Sequence, residues 1–391
     1  MINITEYAKR IDGQPMFKYL DRANELEKQG KDLIHMEIGD PDFPTPKNII
    51  NSSYYSLQNG GSHYCSSYGL EKFRLVIKDH IKKTRGFEPD LDQILITPGA
   101  NICIFYSLFC LADRGTNILV PDPGFSTYYS AAKMCGVHVK RIPLLEKNNF
   151  VIDLDYVEKI IDQRTRFIII NSPNNPTGSV MSQQQMDRLY QIASKKDIII
   201  YSDEIYSRMN YTNDIYSTSA KNDNCKERVI LSDGFSKSYA MTGWRLGYII
   251  APNTLIERMS ALLQTTSSCV SPFIQEAGIE ALTGPQIDLD LMMNEYQHRR
   301  DYLVEELNKI KNIHVSAPGG AFYLFVNITK TNLSCEKVVE QLMDYGVVSL
   351  PGTCFGNHGK GYIRLCYAQS KDKLTEAVNR IKKWSDDIES L

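Results

Sequence analysis

The chain contains nine cysteines, an odd number, and no C-x-x-C pair, so neither a disulfide framework nor a zinc ribbon is indicated. Its seven histidines form no H-x-H or H-E-x-x-H pair, which removes the commonest metal-ligand spacings. No apolar run approaches the roughly 20 residues a membrane span needs. The opening MINITEYAKRID lacks an apolar segment, so it does not read as a secretory signal. Neither sign of charge dominates: 44 Lys and Arg stand against 46 Asp and Glu, a formal charge of −2. That balance argues against nucleic acid or anionic membrane as a partner. No G-x-G-x-x-G follows an early strand, which counts against a nicotinamide-dependent dehydrogenase. Low-complexity linkers and internal repeats are also missing. The expectation is a reduced, soluble, cytoplasmic protein.

What remains is ordinary globular material. The 391 residues are 42% hydrophobic and 23% charged, enough for a large core and, at about 150 residues per domain, two or three domains. Short apolar strands alternate with helical patterns through the middle of the chain. Strands are expected at Ile94–Thr97, Asn117–Val120, His138–Ile142, Phe167–Asn171, Ile198–Ser202, Val229–Ser232 and Leu246–Ile250. Helices are expected at Ile102–Ala112, Ser126–Cys135, Tyr156–Ile161 and Gln183–Lys195. The unbroken runs Ile168-Ile169-Ile170 and Ile198-Ile199-Ile200 suit strands covered on both faces. The alternation predicts an α/β domain around a mostly parallel sheet. The C-terminal part reads as a smaller α+β unit, with helices near Leu291–Lys309, Cys335–Tyr345 and Lys373–Ile388. Strands there are expected near His314–Ser316, Phe322–Val326 and Tyr362–Tyr367. Near the start, helix Phe17–Gln29 and strand Leu33–Ile38 fit either unit.

Six segments carry residues suited to chemistry. In SDGFSKSYAMTGWRLGYIIAP, a strand ends in a small-residue loop bearing Lys237, with Arg245 following. A lysine beside a buried sheet is open to desolvation, which makes its amine nucleophilic, and an arginine nearby suits a phosphate. A surface lysine and a structural arginine are the bland alternative. NSPNNPTG, Asn171–Gly178, leaves a strand as a turn. YSDEIY places Asp203 at a strand end, as a helix cap or as a partner for a buried cation, with Glu204 solvated or structural. ITPGANICIF joins a strand to a helix through Gly99, Ala100 and Asn101, small enough for backbone N–H groups to close on a phosphate. VPDPGFSTY presents Phe125, either a stacking ring or core. GYIRLCYA sets Arg364 among apolar and aromatic neighbours, where it needs a carboxylate, from substrate or from a core acid.

Together these segments resemble the class I/II aminotransferases of PLP fold type I, which use pyridoxal 5'-phosphate (PLP), and the likeness runs over nearly the whole chain. The pattern S-K-x-x-x-M-T-G-W-R-x-G stands at Ser236–Gly247. The resemblance implies Lys237 as the Schiff-base lysine and Arg245 as a phosphate ligand beside Ser236. It implies Asp203 on the pyridinium nitrogen, with Asn175 and Tyr206 on the phenolic oxygen. Gly99, Ala100 and Asn101 become the phosphate cup, Phe125 the stacking ring, and Arg364 with Gly39 of IGDPDFPTP the readers of the substrate carboxylate. In HYCSSYG, Tyr64 would reach the phosphate of a neighbouring subunit, implying a homodimer with shared active sites.

It further implies an arm at 1–13, a large domain at 45–280, and a small domain of 14–44 with 281–391. The activity implied is ping-pong transfer of an amino group between an L-amino acid and a 2-oxo acid. A lyase or oxidase of the same fold, and a non-catalytic aminotransferase-like binding protein, are the alternatives. Retention of Lys237 and Asp203 counts against the last, and the 38 residues before Gly39 are too few for an added DNA-binding domain. Asn101 stands where one aspartate-using branch has a lysine, and aspartate, aromatic and alanine-type donors all stay open. Phe17, Tyr68 and Phe322 could line an apolar pocket or fill the core.

Overall fold

The computed structural model describes residues 2–11, 13–214 and 216–389. Met1 and Asp12 of the expected arm lie outside the described residues. Seven strands form one sheet: β1 (Ile94–Thr97), β2 (Asn117–Asp122), β3 (His138–Pro143), β4 (Thr165–Asn171), β5 (Ile199–Asp203), β6 (Val229–Gly234) and β7 (Gly247–Ile250). Their order is β1-β7-β6-β5-β4-β2-β3, parallel throughout except β7, which runs antiparallel to both of its neighbours. This is an α/β architecture, as the alternation predicts.

The isoleucine runs explain themselves in the sheet. Side chains alternate faces along a strand. On β4, Ile168 and Ile170 enter one apolar core while Phe167 and Ile169 enter another on the opposite face. Both faces are covered, so no position can be polar without cost, and the sequence shows continuous apolar residues in place of alternation.

A second sheet is antiparallel, with β8 (Tyr323–Asn327), β9 (Leu350–Pro351) and β10 (Tyr362–Cys366) in the order β9-β10-β8. Helices Ile287–Leu307, Cys335–Asp344 and Lys371–Glu389 accompany it. Ile34–His35 pairs in parallel with Val347–Val348, which ties the first forty residues to this C-terminal unit.

Two expectations are corrected, and four helices were not anticipated. His314–Ser316 is not a strand; only a single bridge, His314 to Asn327, forms, because the chain turns through Pro318-Gly319-Gly320 into β8. The strand expected over Leu33–Ile38 shortens to Ile34–His35, after which Met36 bonds singly to Val348 and Cys366 and the backbone leaves for the loop at Gly39. Helices Lys47–Gln58, Glu71–Arg85, Asn253–Ser267 and Pro272–Thr283 were not read from the sequence. The first of them packs lengthwise on the last, and their apolar faces are defined by that contact as much as by periodicity.

Candidate active site

Strands β4, β5 and β6 end side by side, with Asn171 opposite Asp203 and Asp203 opposite Ser232. The loops leaving them enclose a cavity of about 320 Å³. It lies outside the carboxyl ends of the strands, where open α/β sheets bind ligands.

Lys237 enters from the turn after β6, and its Nζ donates to the carbonyl oxygen of Gly39. The amine is enclosed by protein. That desolvation lowers its pKa to about 8; Asp40 opposes the shift, and the charges of Arg364 and Arg245 add to it. Gly39 is required where it stands: a Cβ there would lie 1.9 Å from the Tyr323 hydroxyl.

Asp203 ends β5 and is buried. Its Oδ2 accepts from the Tyr128 hydroxyl at 2.6 Å, and its Oδ1 takes a longer bond from the Ile205 amide at 3.3 Å. Among the described residues no cation pairs with it. Burial raises its pKa to about 6, with the nearby Asp233 and Glu204 charges acting in the same direction. No helix follows Asp203 directly, so the helix-cap alternative falls. Glu204, its neighbour, turns away and is structural: its carboxylate meets the buried Arg85 at 3.1 Å, and Arg85 also holds Asp233 at 2.6 Å.

Arg364, on β10, is 1% exposed. Its guanidinium donates to Asn175 Oδ1 at 3.0 Å and to the Glu37 carbonyl, and lies over the Tyr323 ring. Its Nε has no partner among the described residues. Asn175 is fixed through its own amide, which donates to Asn171 Oδ1 at 2.8 Å. Tyr206 shares a hydroxyl–hydroxyl bond of 2.8 Å with Tyr323.

Arg245 stands at the cavity rim. The register Thr97 to Gly247 brings it against Gly99, whose φ is +83° and where a Cβ would lie 2.4 Å from the guanidinium. Ala100 and Asn101 follow into helix Asn101–Leu111. Phe125 lines the cavity and meets the Tyr128 ring edge-on, 5.7 Å between centroids. Ser236 lines it as well.

The cavity thus gathers Lys237, Asp203, Asn175, Tyr206, Ser236, Arg245, Arg364, Gly39, Ala100, Asn101 and Phe125, with Gly99 against Arg245. It does not gather Tyr64, which is 87% exposed and borders a separate groove. Of the three aromatics considered for an apolar pocket, Phe17 lines the cavity, Phe322 sits behind Lys237 at 5.7 Å, and Tyr68 lies elsewhere. Sequence reasoning missed Tyr128 and Tyr323. Tyr128 lies in the Phe125 segment one helical turn on, so its spacing was a usable signal; Tyr323 carried none.

The profile of the family "Aminotransferase class I and II" matches residues 31–381. An aspartate aminotransferase of Pyrococcus horikoshii is 38% identical over 383 residues, covering 97% of this chain and 96% of that one. An aromatic-amino-acid aminotransferase 2 of Thermococcus litoralis is 34% identical, covering 97% of each chain. The crystal structure of the aspartate aminotransferase of Rhizobium meliloti superposes with a TM-score of 0.94 at 28% identity, covering 99% of both chains. The chain belongs to the class I and II aminotransferases. It has their fold type I architecture, depends on PLP, and transfers an amino group between an amino acid and a 2-oxo acid.

Proposed function

We propose that the reaction runs in the cavity between Lys237, Asp203 and Arg364, and that it proceeds by two half-reactions. The observation that carries this reading is Asp203, a buried carboxylate with no cation paired to it among the described residues, at the end of a central strand and on the cavity that also holds Lys237. A protonated ring nitrogen supplies the charge it lacks. Bound PLP contributes an aldehyde carbon for the lysine amine and a ring that accepts the electron pair left when a donor Cα–H bond breaks.

The side chains do the rest. The lowered pKa of Lys237 leaves more of its amine unprotonated at neutral pH than an ordinary lysine would have, so Nζ can bond to the aldehyde carbon. Once displaced by the donor, the same nitrogen would be placed to take the Cα proton and return it to the former aldehyde carbon of the cofactor, two bonds from Cα. Asp203 holds the proton on the ring nitrogen, and Tyr128 fixes the carboxylate by its 2.6 Å bond. Asn175 and Tyr206 would bond the phenolic oxygen of bound PLP. Gly99, Ala100, Asn101, Ser236 and Arg245 receive the phosphate, at a helix start where the dipole favours an anion. Phe125, which lines the cavity, would lie against the ring. Arg364, with Nε unpartnered, and the backbone of Gly39 take the donor carboxylate, which orients the Cα–H bond.

Tyr64, exposed and outside its own cavity, suits a contact with the phosphate of a neighbouring subunit. The working unit is then a homodimer with shared sites. The chain divides into an arm at 1–13, a large domain at 45–280 and a small domain of 14–44 with 281–391. Nine free thiols suit a reducing compartment, and no helix among the described residues is long and apolar enough to cross a membrane. These support a cytoplasmic location.

The test is to supply cofactor-loaded protein with an amino acid and no acceptor. One 2-oxo acid should form per site, without ammonia, and a second 2-oxo acid should restore the starting spectrum, giving parallel lines in double-reciprocal plots. Continuous ammonia release without an acceptor would indicate a lyase, and ammonia with oxygen uptake an oxidase.

A further inference from the structure

Behind the carboxylate end of the cavity lies a charged group that the mechanism does not use. Glu37 is fully buried. Its Oε1 bonds His35 Nδ1 at 2.7 Å, and its Oε2 has no partner among the described residues. The other nitrogen of His35 reaches Glu27 Oε1 at 3.0 Å, near the end of helix Met16–Lys28. An imidazole bonded on both sides to carboxylates must donate twice, which only the protonated ring can do. Its pKa is raised to about 9, chiefly by the hydrogen bond to Glu37, with burial opposing. The charged groups facing the ring are Glu37 from its own segment and Glu27 from the helix. The paired residues Val347 and Val348 bring no charge, and Gln369, after β10, donates to the His35 carbonyl at 2.9 Å.

The backbone that follows His35 is working backbone. The carbonyl of Glu37 accepts from Arg364 and the carbonyl of Gly39 accepts from Lys237. Regular strand pairing ends at Ile34–His35; Met36 adds one backbone bond to Val348 and one to Cys366, and from Glu37 onward the path is held by Arg364, Lys237 and the side-chain anchor of Glu37. Glu37 is such an anchor only while its buried charge is compensated, and among the described residues His35 is the one cation paired with it.

We propose that His35 is a positioning residue for the reaction: as imidazolium it neutralises the buried Glu37 carboxylate and so fixes the 36–39 backbone that holds Arg364 and Lys237. The effect on substrate rests on the reading of Arg364 as the carboxylate-binding residue. Because the ring's pKa is raised above its ordinary 6.5, the anchoring is complete below pH 6.5 and is lost as pH rises through about 9.

Three variants of the cofactor-loaded protein test this: His35→Gln, His35→Leu, and the double variant His35→Leu with Glu37→Leu, which removes both charges. The single variants should raise the KM for the amino acid about ten- to a hundredfold, the loss of one hydrogen bond to a charged group, with kcat little changed. Backbone amides over 34–39 should exchange faster with deuterium. The double variant should recover both. If it stays as impaired as His35→Leu, or if the single variants keep wild-type exchange, the proposal is overturned. Arg364→Gln separates the two readings: an unchanged KM there would refute the role of Arg364, while the exchange data still decide on His35. The unmodified protein gives a check that depends on no variant. NMR of labelled histidines should show one ring protonated at neutral pH with a midpoint near 9; its absence would also overturn the proposal.

Discussion

Asp203→Asn is the substitution that bears most directly on how the site handles charge. Asparagine keeps the shape, and its carbonyl can still accept the Tyr128 hydroxyl at the 2.6 Å position. What it loses is the negative charge. If Asp203 faces the ring nitrogen of bound PLP, as proposed, its burial lets little water screen the pair. Removing one partner of a buried ion pair costs about 3–5 kcal/mol. At about 1.4 kcal/mol per decade, Cα-proton removal should slow roughly a hundredfold to several thousandfold. The assay is rapid mixing of cofactor-loaded variant with an amino acid and with its α-deuterated form, following the cofactor absorbance. Proton removal should become fully rate-limiting and the isotope effect should grow. Thermal unfolding of the apoprotein should not fall, because the variant relieves a buried charge whose pKa is already raised to about 6. A rate within about tenfold of wild type would refute the assignment of Asp203 to the ring nitrogen.

Two further outcomes follow from the geometry. Gly99→Ala forces a Cβ to 2.4 Å from the Arg245 guanidinium at a φ of +83°. The apoprotein should lose about 1–2 kcal/mol by denaturant unfolding. Cofactor titration should show weaker binding through the displaced arginine, and unchanged affinity would put the phosphate elsewhere. Mixing Tyr64→Phe with Lys237→Ala protein should generate hybrid dimers in which one site per dimer has both groups intact, so activity should exceed that of either parent. No recovery, with subunit exchange demonstrated, would argue for sites built within one chain.

The legible parts of this protein were those written in short, contiguous segments. Lys237, Arg245, Asp203, Asn175 and Gly99 lie in short contiguous motifs at or near strand ends, and the resemblance of those motifs to the family singled them out. The central strands were legible because burial on both faces leaves no polar position to obscure them, as at Ile168, Ile169 and Ile170. What stayed hidden depends on contacts distant in sequence. Tyr323 matters because β8 carries it to Tyr206, 117 residues away. Arg85 ends a helix not read from the sequence, and it is 3% exposed where it pairs with Glu204 and Asp233, more than a hundred residues away. His35 and Glu37 stand two apart in the expected strand Leu33–Ile38, and nothing local shows that Glu27, eight residues earlier, closes on the other side of the imidazole. Tyr64 is displayed on the surface in a single chain, where nothing in that chain's own cavity accounts for it.

The central claim is that Lys237 is the amine bonded to the cofactor. Borohydride reduction of the PLP-loaded protein, followed by proteolysis and mass spectrometry, tests it directly. One label per chain should appear, on the peptide containing Lys237, and the Lys237→Ala protein should bind cofactor but carry no label. A label on any other lysine, or a labelled Lys237→Ala protein, would contradict the account.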